Sequence, residues 1–259
     1  MRLASFFCVV SRYTEWCGAG AGRHDEDRQL FGNCGTRGGI KKMFQAVVFD
    51  MDGVITDTEK LYRRFQLEEG RKLGIPDDVM VVACERIAGG TKYTNKSRFE
   101  EVVGRGIDYL DFRAAVIRKL DTHIRTYGVE LKPGVADTLK YLKEKGAKVG
   151  LATSTVRERA TGYLKAHHID RYFDELVFGD TVAHGKPAPD IYLKACEMLD
   201  VRPEEAIAVE DSINGIVSAG RAGMYPVMVI DLIEPNDITR QYAKQVYEFG
   251  RIDRLKELI

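Results

Sequence analysis

The sequence predicts an α/β protein: a parallel sheet with helices on both faces and an all-helical insertion after its first strand. Three observations predict it. Short apolar runs beginning at Ala46, Val149 and Ala206 each end in acids or hydroxyls, and helix-start signals follow the last two. Between the first run and the second, residues 59–131 carry only helical patterns. The chain has 259 residues, 44% of them hydrophobic, enough to bury a substantial core.

Ala46-Val47-Val48-Phe49 is β-rich and bounded by a breaker, so it reads as a short buried strand. It delivers Asp50 and Asp52 to the start of a loop, where Gly53 can adopt backbone angles closed to other residues. Carboxylates beside an apolar strand are costly unless paired, and a metal ion is the usual partner. A bare Asp-x-Asp also reads as a polar turn. Glu59 to Leu73 forms a charged amphipathic helix closed by Gly74, and Pro76 to Ile87 a second. Gly89-Gly90-Thr91 breaks the chain, Asn95 to Val103 resumes it, and Tyr109 to Tyr127 forms a longer helix closed by Gly128. Pro133-Gly134 restarts it, with Val135, Leu139 and Leu142 at helical spacing towards Gly146.

The second apolar run ends in Thr153 and Ser154. Thr155 and Glu158 have capping-box spacing, so a helix begins at once. Hydroxyls and free amides at such a junction cradle phosphate, although plain helix caps use the same residues. In Gly185-Lys186-Pro187-Ala188-Pro189-Asp190, Pro187 pushes Lys186 towards an extended conformation and Pro189 with Asp190 favours a helix start. One cation is thereby fixed in a loop. The third run ends in Glu210-Asp211, and Ser212 is a natural N-cap; a lone acidic pair is usually a solvated loop. In open parallel sheets the carboxyl edge is where ligands bind, and these clusters all lie there.

Jointly, Phe49-Asp50-Met51-Asp52-Gly53-Val54-Ile55-Thr56-Asp57-Thr58 and the three later segments resemble the haloacid dehalogenase-like superfamily, most of whose members are magnesium-dependent phosphatases. The resemblance spans about Met43 to Ile259. It implies a Rossmann-like catalytic core at 43–58 and 132–259, and a helical cap at 59–131 that covers the site, excludes water and reads the substrate. Asp50 would be the nucleophile, forming an aspartyl-phosphate, and Asp52 the general acid and then base. Mg²⁺ would be held by Asp50, the backbone carbonyl of Asp52, Asp211 and Glu210. Thr153 and Ser154 would bind phosphoryl oxygens and Lys186 would neutralise charge shared with Asp50. Met51 and Thr58 complete the set expected around the phosphate.

Members that remove halide lack the second acid and the metal, so Asp52, Glu210 and Asp211 argue against dehalogenation. The closest branch contains β-phosphoglucomutase and small sugar-phosphate phosphatases. Tyr62 stands where the mutase carries a cap-side His. Lys92 is the nearest candidate for the mutase's cap Arg, and a Lys cannot grip phosphate bidentately. Both departures favour hydrolysis over mutase-type phosphoryl transfer. Tyr62 also reads as a cap-packing aromatic and Lys92 as a solvated charge. A catalytically silent binding protein of this fold would be expected to have lost a charged catalytic group, and none is missing.

Composition bounds the partners. Formal net charge is +0, which gives no support for nucleic-acid binding. No apolar run approaches the roughly 20 residues of a membrane helix. The gap from Gly179 to Lys186 has the wrong length for a P-loop. The 5 cysteines lack zinc spacing, and an odd total argues against a disulfide framework. The expected setting is a reducing cytoplasm, the expected partner a small phosphorylated metabolite, and the expected state a monomer or weak homo-oligomer. Residues 1–42 hold Trp16 and scattered glycines with no persistent period, and read as a disordered extension. Leu3 to Val10 is interrupted too early, by Ser11, Arg12 and Glu15, to read as a signal peptide.

Overall fold

A strand without polar side chains must be covered on both faces, and β1 (Ala46–Phe49) is fully buried. The computed structural model describes residues 44–87, 92–104 and 106–259, apart from the side chains of 92–94. The expected extension at 1–42 lies outside the described residues. Among them β1 is joined by β2 (Lys148–Thr153), β3 (Glu175–Phe178), β4 (Ala206–Glu210), β5 (Tyr225–Val229) and β6 (Gln245–Tyr247). All pairings are parallel, in the order β3-β2-β1-β4-β5-β6. Phe49 lies opposite both Leu151 and Val209. The chain runs outward from β1 through β2 to β3, then crosses back to β4. The crevice between β1 and β4 is therefore the topological switch point, the place such sheets bind ligands.

Period-two alternation sorts the strand residues onto two faces. Val47, Phe49, Val149, Leu151, Ile207 and Val209 pack with α5 (Val135–Glu144) and α6 (Arg157–Ala166). Ala46, Val48, Ala206 and Ala208 form the opposite face, where their small side chains sit under α7 (Asp190–Met198) and α8 (Ile213–Arg221). A short helix, α9 (Asp237–Tyr242), follows β5.

Four helices separate β1 from α5: α1 (Thr58–Lys72), α2 (Asp77–Ile87), α3 (Lys92–Val103) and α4 (Tyr109–Tyr127). They build their own core from Phe65, Met80, Phe99, Tyr109, Phe112 and Val116, with Phe99 stacked on Phe112 at 4.8 Å between ring centroids. Two chain segments connect them to the sheet and pair with each other. The Asp57 amide donates to the Glu130 carbonyl at 2.9 Å, and the Lys132 amide to that of Ile55 at 2.8 Å. The buried Lys132 ammonium donates to Asp57 Oδ1 at 2.8 Å and Asp231 Oδ1 at 2.5 Å, tying both connections to the loop after β5. No helix among the described residues is long and apolar enough to cross a membrane.

Candidate active site

β1 ends in Phe49, so Asp50 emerges at the switch point, where its amide donates to the Val209 carbonyl at 2.9 Å. Lys186 arrives on the loop before α7. Its ammonium donates to Asp50 Oδ1 at 2.6 Å, Glu210 Oε1 at 2.6 Å and the Ala152 carbonyl at 3.0 Å. The Lys186–Pro187 peptide bond that carries this loop is cis. Glu210 is held further by the Tyr192 hydroxyl at 2.7 Å and the Ser212 hydroxyl at 3.0 Å. Ser212 also caps α8 as the sequence predicts, accepting from the Gly215 amide at 3.0 Å.

Three buried carboxylates, Asp50, Glu210 and Asp211, place oxygens within 4.8 Å of one another. Two glycines make room for them. A Cβ at Gly215 would lie 1.9 Å from Glu210 Cδ, and one at Gly53 would lie 2.1 Å from Asp211 Oδ2. Burial raises the Asp50 carboxyl to about 8, with Glu210 and Asp52 pushing the same way against Lys186. Burial also drives Asp211 well above the carboxylate range, reinforced by Glu210, Glu59, Asp50 and Asp231. Lys186 moves upward despite its burial, because Asp50 and Glu210 stabilise its charge. One lysine does not balance this concentration of acid. The donors are hard oxygens in a desolvated cluster, so the residues present fit a divalent cation such as Mg²⁺.

Asp52 is held differently. The Thr58 hydroxyl donates to its Oδ1 and the Thr155 hydroxyl to its Oδ2, each at 2.5 Å. Thr155 therefore does not cap α6, contrary to the capping box that the sequence suggests. The helix starts at Arg157 after Val156, with no side-chain cap, and the Thr155 amide bonds Thr153 Oγ1 at 3.0 Å. Thr153 is fully buried, whereas Ser154 is exposed and lines the cavity. The Met51 side chain is buried in the core, so only its backbone can face a ligand. The Lys92 side chain lies outside the described residues.

A cavity of about 280 Å³ opens between these groups and the helical insertion. Asp50, Asp52, Lys186 and Asp211 line it from the sheet, and Thr58, Glu59 and Tyr62 from α1. Burial, then Asp52 and Asp231, raises Glu59 from its ordinary 4.5 to about 7. The expected site residues Asp50, Asp52, Thr58, Tyr62, Ser154, Lys186 and Asp211 thus surround one cavity. Thr155 and Glu59 also line the cavity and Tyr192 bonds Glu210, and none of the three was expected to serve the site.

The family model described as haloacid dehalogenase-like hydrolase matches residues 44–223. The chain belongs to that family. This haloacid dehalogenase-like hydrolase is 36% identical over 184 residues to the phosphorylated carbohydrates phosphatase of Thermotoga maritima, covering 70% of this chain and 82% of the relative. It is 33% identical over 232 residues to the β-phosphoglucomutase of Bacillus subtilis, covering 80% and 97%. The crystal structure of CbbY from Rhodobacter sphaeroides in complex with phosphate superimposes with a TM-score of 0.64 at 28% identity, over 79% of this chain and 93% of that one. The chain is accordingly an enzyme of the phosphatase and phosphoryl-transfer kind.

Proposed function

We propose that the enzyme is a Mg²⁺-dependent phosphatase that hydrolyses small, sugar-like phosphate monoesters through an aspartyl-phosphate at Asp50. The observation that carries this reading is the cluster of Asp50, Glu210 and Asp211 around Lys186, with Asp52 two residues beyond the nucleophile. A core at 43–58 and 132–259, capped by 59–131, would enclose the reaction. Asp50, Glu210, Asp211 and the Asp52 backbone carbonyl would hold the Mg²⁺. When bound, it supplies positive charge against the phosphoryl oxygens.

The chain's own groups then divide the work. An Asp50 oxygen attacks phosphorus as the ester P–O bond breaks, and Asp52 protonates the departing alkoxide. Asp52, now a carboxylate, takes a proton from the attacking water; the Asp50–phosphorus bond breaks and inorganic phosphate leaves. Lys186 keeps Asp50 in place and offsets the charge it shares with the phosphoryl group. Ser154 and the backbone at Met51 offer donors to phosphoryl oxygens, and Thr153 orders that loop.

Phosphate release from a panel of phosphate monoesters tests the reading. Chelation is expected to abolish turnover and Mg²⁺ to restore it; excess Ca²⁺ is expected to inhibit, because its looser coordination misplaces Asp50. Asp50→Asn is expected to lose several orders of magnitude in kcat. Full turnover after exhaustive chelation, or more than about a tenth of wild-type activity in Asp50→Asn, would refute it. One observation favours mutase-type transfer instead: both Asp52 oxygens are restrained by threonine hydroxyls. A mutase must hold its acid back until a new acceptor arrives.

A further inference from the structure

Two donors converge on one oxygen of Glu210. Its Oε1 accepts from the Lys186 ammonium at 2.6 Å and from the Tyr192 hydroxyl at 2.7 Å. Its Oε2 accepts from the Ser212 hydroxyl at 3.0 Å and has the Ser212 amide only at 3.5 Å. A carboxylate oxygen has two lone pairs, so Oε1 is filled and the capacity left for a cation lies on Oε2. Lys186 cannot by itself keep the carboxylate turned this way. Its ammonium hydrogens are divided among Asp50, Glu210 and the Ala152 carbonyl, so any lean towards Asp50 loosens its hold on Glu210. Tyr192 has no second acid to serve. It stands in the first turn of α7, fully buried, with its ring 5.1 Å from the Lys186 ammonium. A side chain with no exposed surface can touch neither the ester nor the phosphate. Whatever Tyr192 does for the reaction therefore passes through Glu210 and Lys186.

We infer that Tyr192 is a positioning residue: its hydroxyl fixes the Glu210 carboxylate with Oε2 left open for a divalent cation, and thereby sets the affinity of the acid cluster for Mg²⁺. This rests on the Mg²⁺-dependent reading above. Hydrogen bonds that orient a ligating carboxylate are commonly worth about 10- to 100-fold in metal affinity. Tyr192→Phe removes the hydroxyl and keeps the ring against Lys186, so it isolates that bond from the packing around it.

The test measures Mg²⁺ binding to the full chain by titration calorimetry after chelation, and melting with and without Mg²⁺. In Tyr192→Phe the dissociation constant for Mg²⁺ is expected to rise about ten-fold or more. The gain in melting temperature at a fixed Mg²⁺ concentration should shrink accordingly. Tyr192→Leu, which lacks both hydroxyl and ring, should bind Mg²⁺ no better than Tyr192→Phe. With Mg²⁺ saturating, KM for p-nitrophenyl phosphate should be unchanged in Tyr192→Phe, because the hydroxyl meets no substrate, whereas turnover at low Mg²⁺ should fall. Tyr247→Phe removes a buried tyrosine hydroxyl on β6 and should bind Mg²⁺ as the wild type does. Wild-type Mg²⁺ affinity in Tyr192→Phe overturns the inference even if the variant melts lower, since a purely structural role would explain that. An equal loss of affinity in Tyr247→Phe overturns it as well. Either result, with the wild type binding Mg²⁺, leaves the phosphatase reading intact. A wild-type chain that binds no Mg²⁺ sinks the metal-dependent reading and the inference with it.

Discussion

Asp50 and Asp52 lie two residues apart yet meet opposite surroundings. Asp50 is buried against a lysine and two acids, whereas Asp52 is bound by two neutral hydroxyls. If Asp52 protonates the leaving group, Asp52→Asn should cost far more with a sugar phosphate than with p-nitrophenyl phosphate, whose leaving group needs no proton. Thr155→Val should show the same pattern more weakly, since it loosens one Asp52 oxygen. Equal losses on both substrates would exclude that role for Asp52. Glu59 offers a test by pH. Its carboxyl is raised on folding, so the folded chain holds that proton more tightly than the unfolded one. The stability it contributes is present below its ordinary value of 4.5 and lost as pH rises towards about 7. Glu59→Gln should therefore melt several degrees higher than wild type at pH 8 but not at pH 4, read by a thermal scan at both values. The acidic motif residues could be found in the sequence because they lie at strand ends, and Lys186 because Pro187 and Pro189 mark its loop. Thr155 and Tyr192 could not, because only packing brings them to Asp52 and Glu210.

Elements were legible where a local signal acts alone. Helix α4 spans Tyr109–Tyr127 as its period and Gly128 predict, and Gly128 takes the positive φ of 80° that a stop at this position exploits. Strands β3, β5 and β6 gave no such signal. Strand β3 is only partly buried at Glu175 and Leu176, β6 has 3 residues, and β5 contains Pro226, ordinarily a mark against an interior strand. Pro226 precedes the first residue pair of β5 with β6, Val227 opposite Gln245, and its carbonyl accepts from the Lys244 amide at 2.8 Å. The joint between sheet and insertion was equally hidden, since Asp57, Lys132 and Asp231 are far apart in sequence. Removing one partner of a buried ion pair leaves uncompensated charge. Lys132→Met is therefore expected to cost about 3–5 kcal/mol, far more than the loss of any exposed pair on the insertion. Denaturant unfolding measures this, and a cost under about 1 kcal/mol would show that the lysine does not hold the joint.

At the scale of the whole molecule, the proposed aspartyl-phosphate at Asp50 raises the question of where its phosphoryl group goes. The sheet presents Asp50 at its switch point, and the helical insertion provides the opposite wall of the cavity. A mutase of this architecture must keep water from being activated until a sugar phosphate enters, so its acid must be withheld and then released as the site closes. Here the restraint on Asp52 comes from Thr58 and Thr155, whose hydroxyls do not ionise near neutral pH. Tyr62 lines the same cavity, and burial raises its pKa further, so it too stays neutral. None of these groups can switch the way a histidine does. The expectation is thus that Asp52 activates water whether or not an acceptor is present. With β-glucose 1-phosphate and a trace of the bisphosphate, steady phosphate release should exceed formation of glucose 6-phosphate. Tyr62→His should shift the ratio of the two products towards glucose 6-phosphate. If the wild-type chain instead forms glucose 6-phosphate as the dominant product, the threonine pair is restraint enough and the enzyme is a mutase.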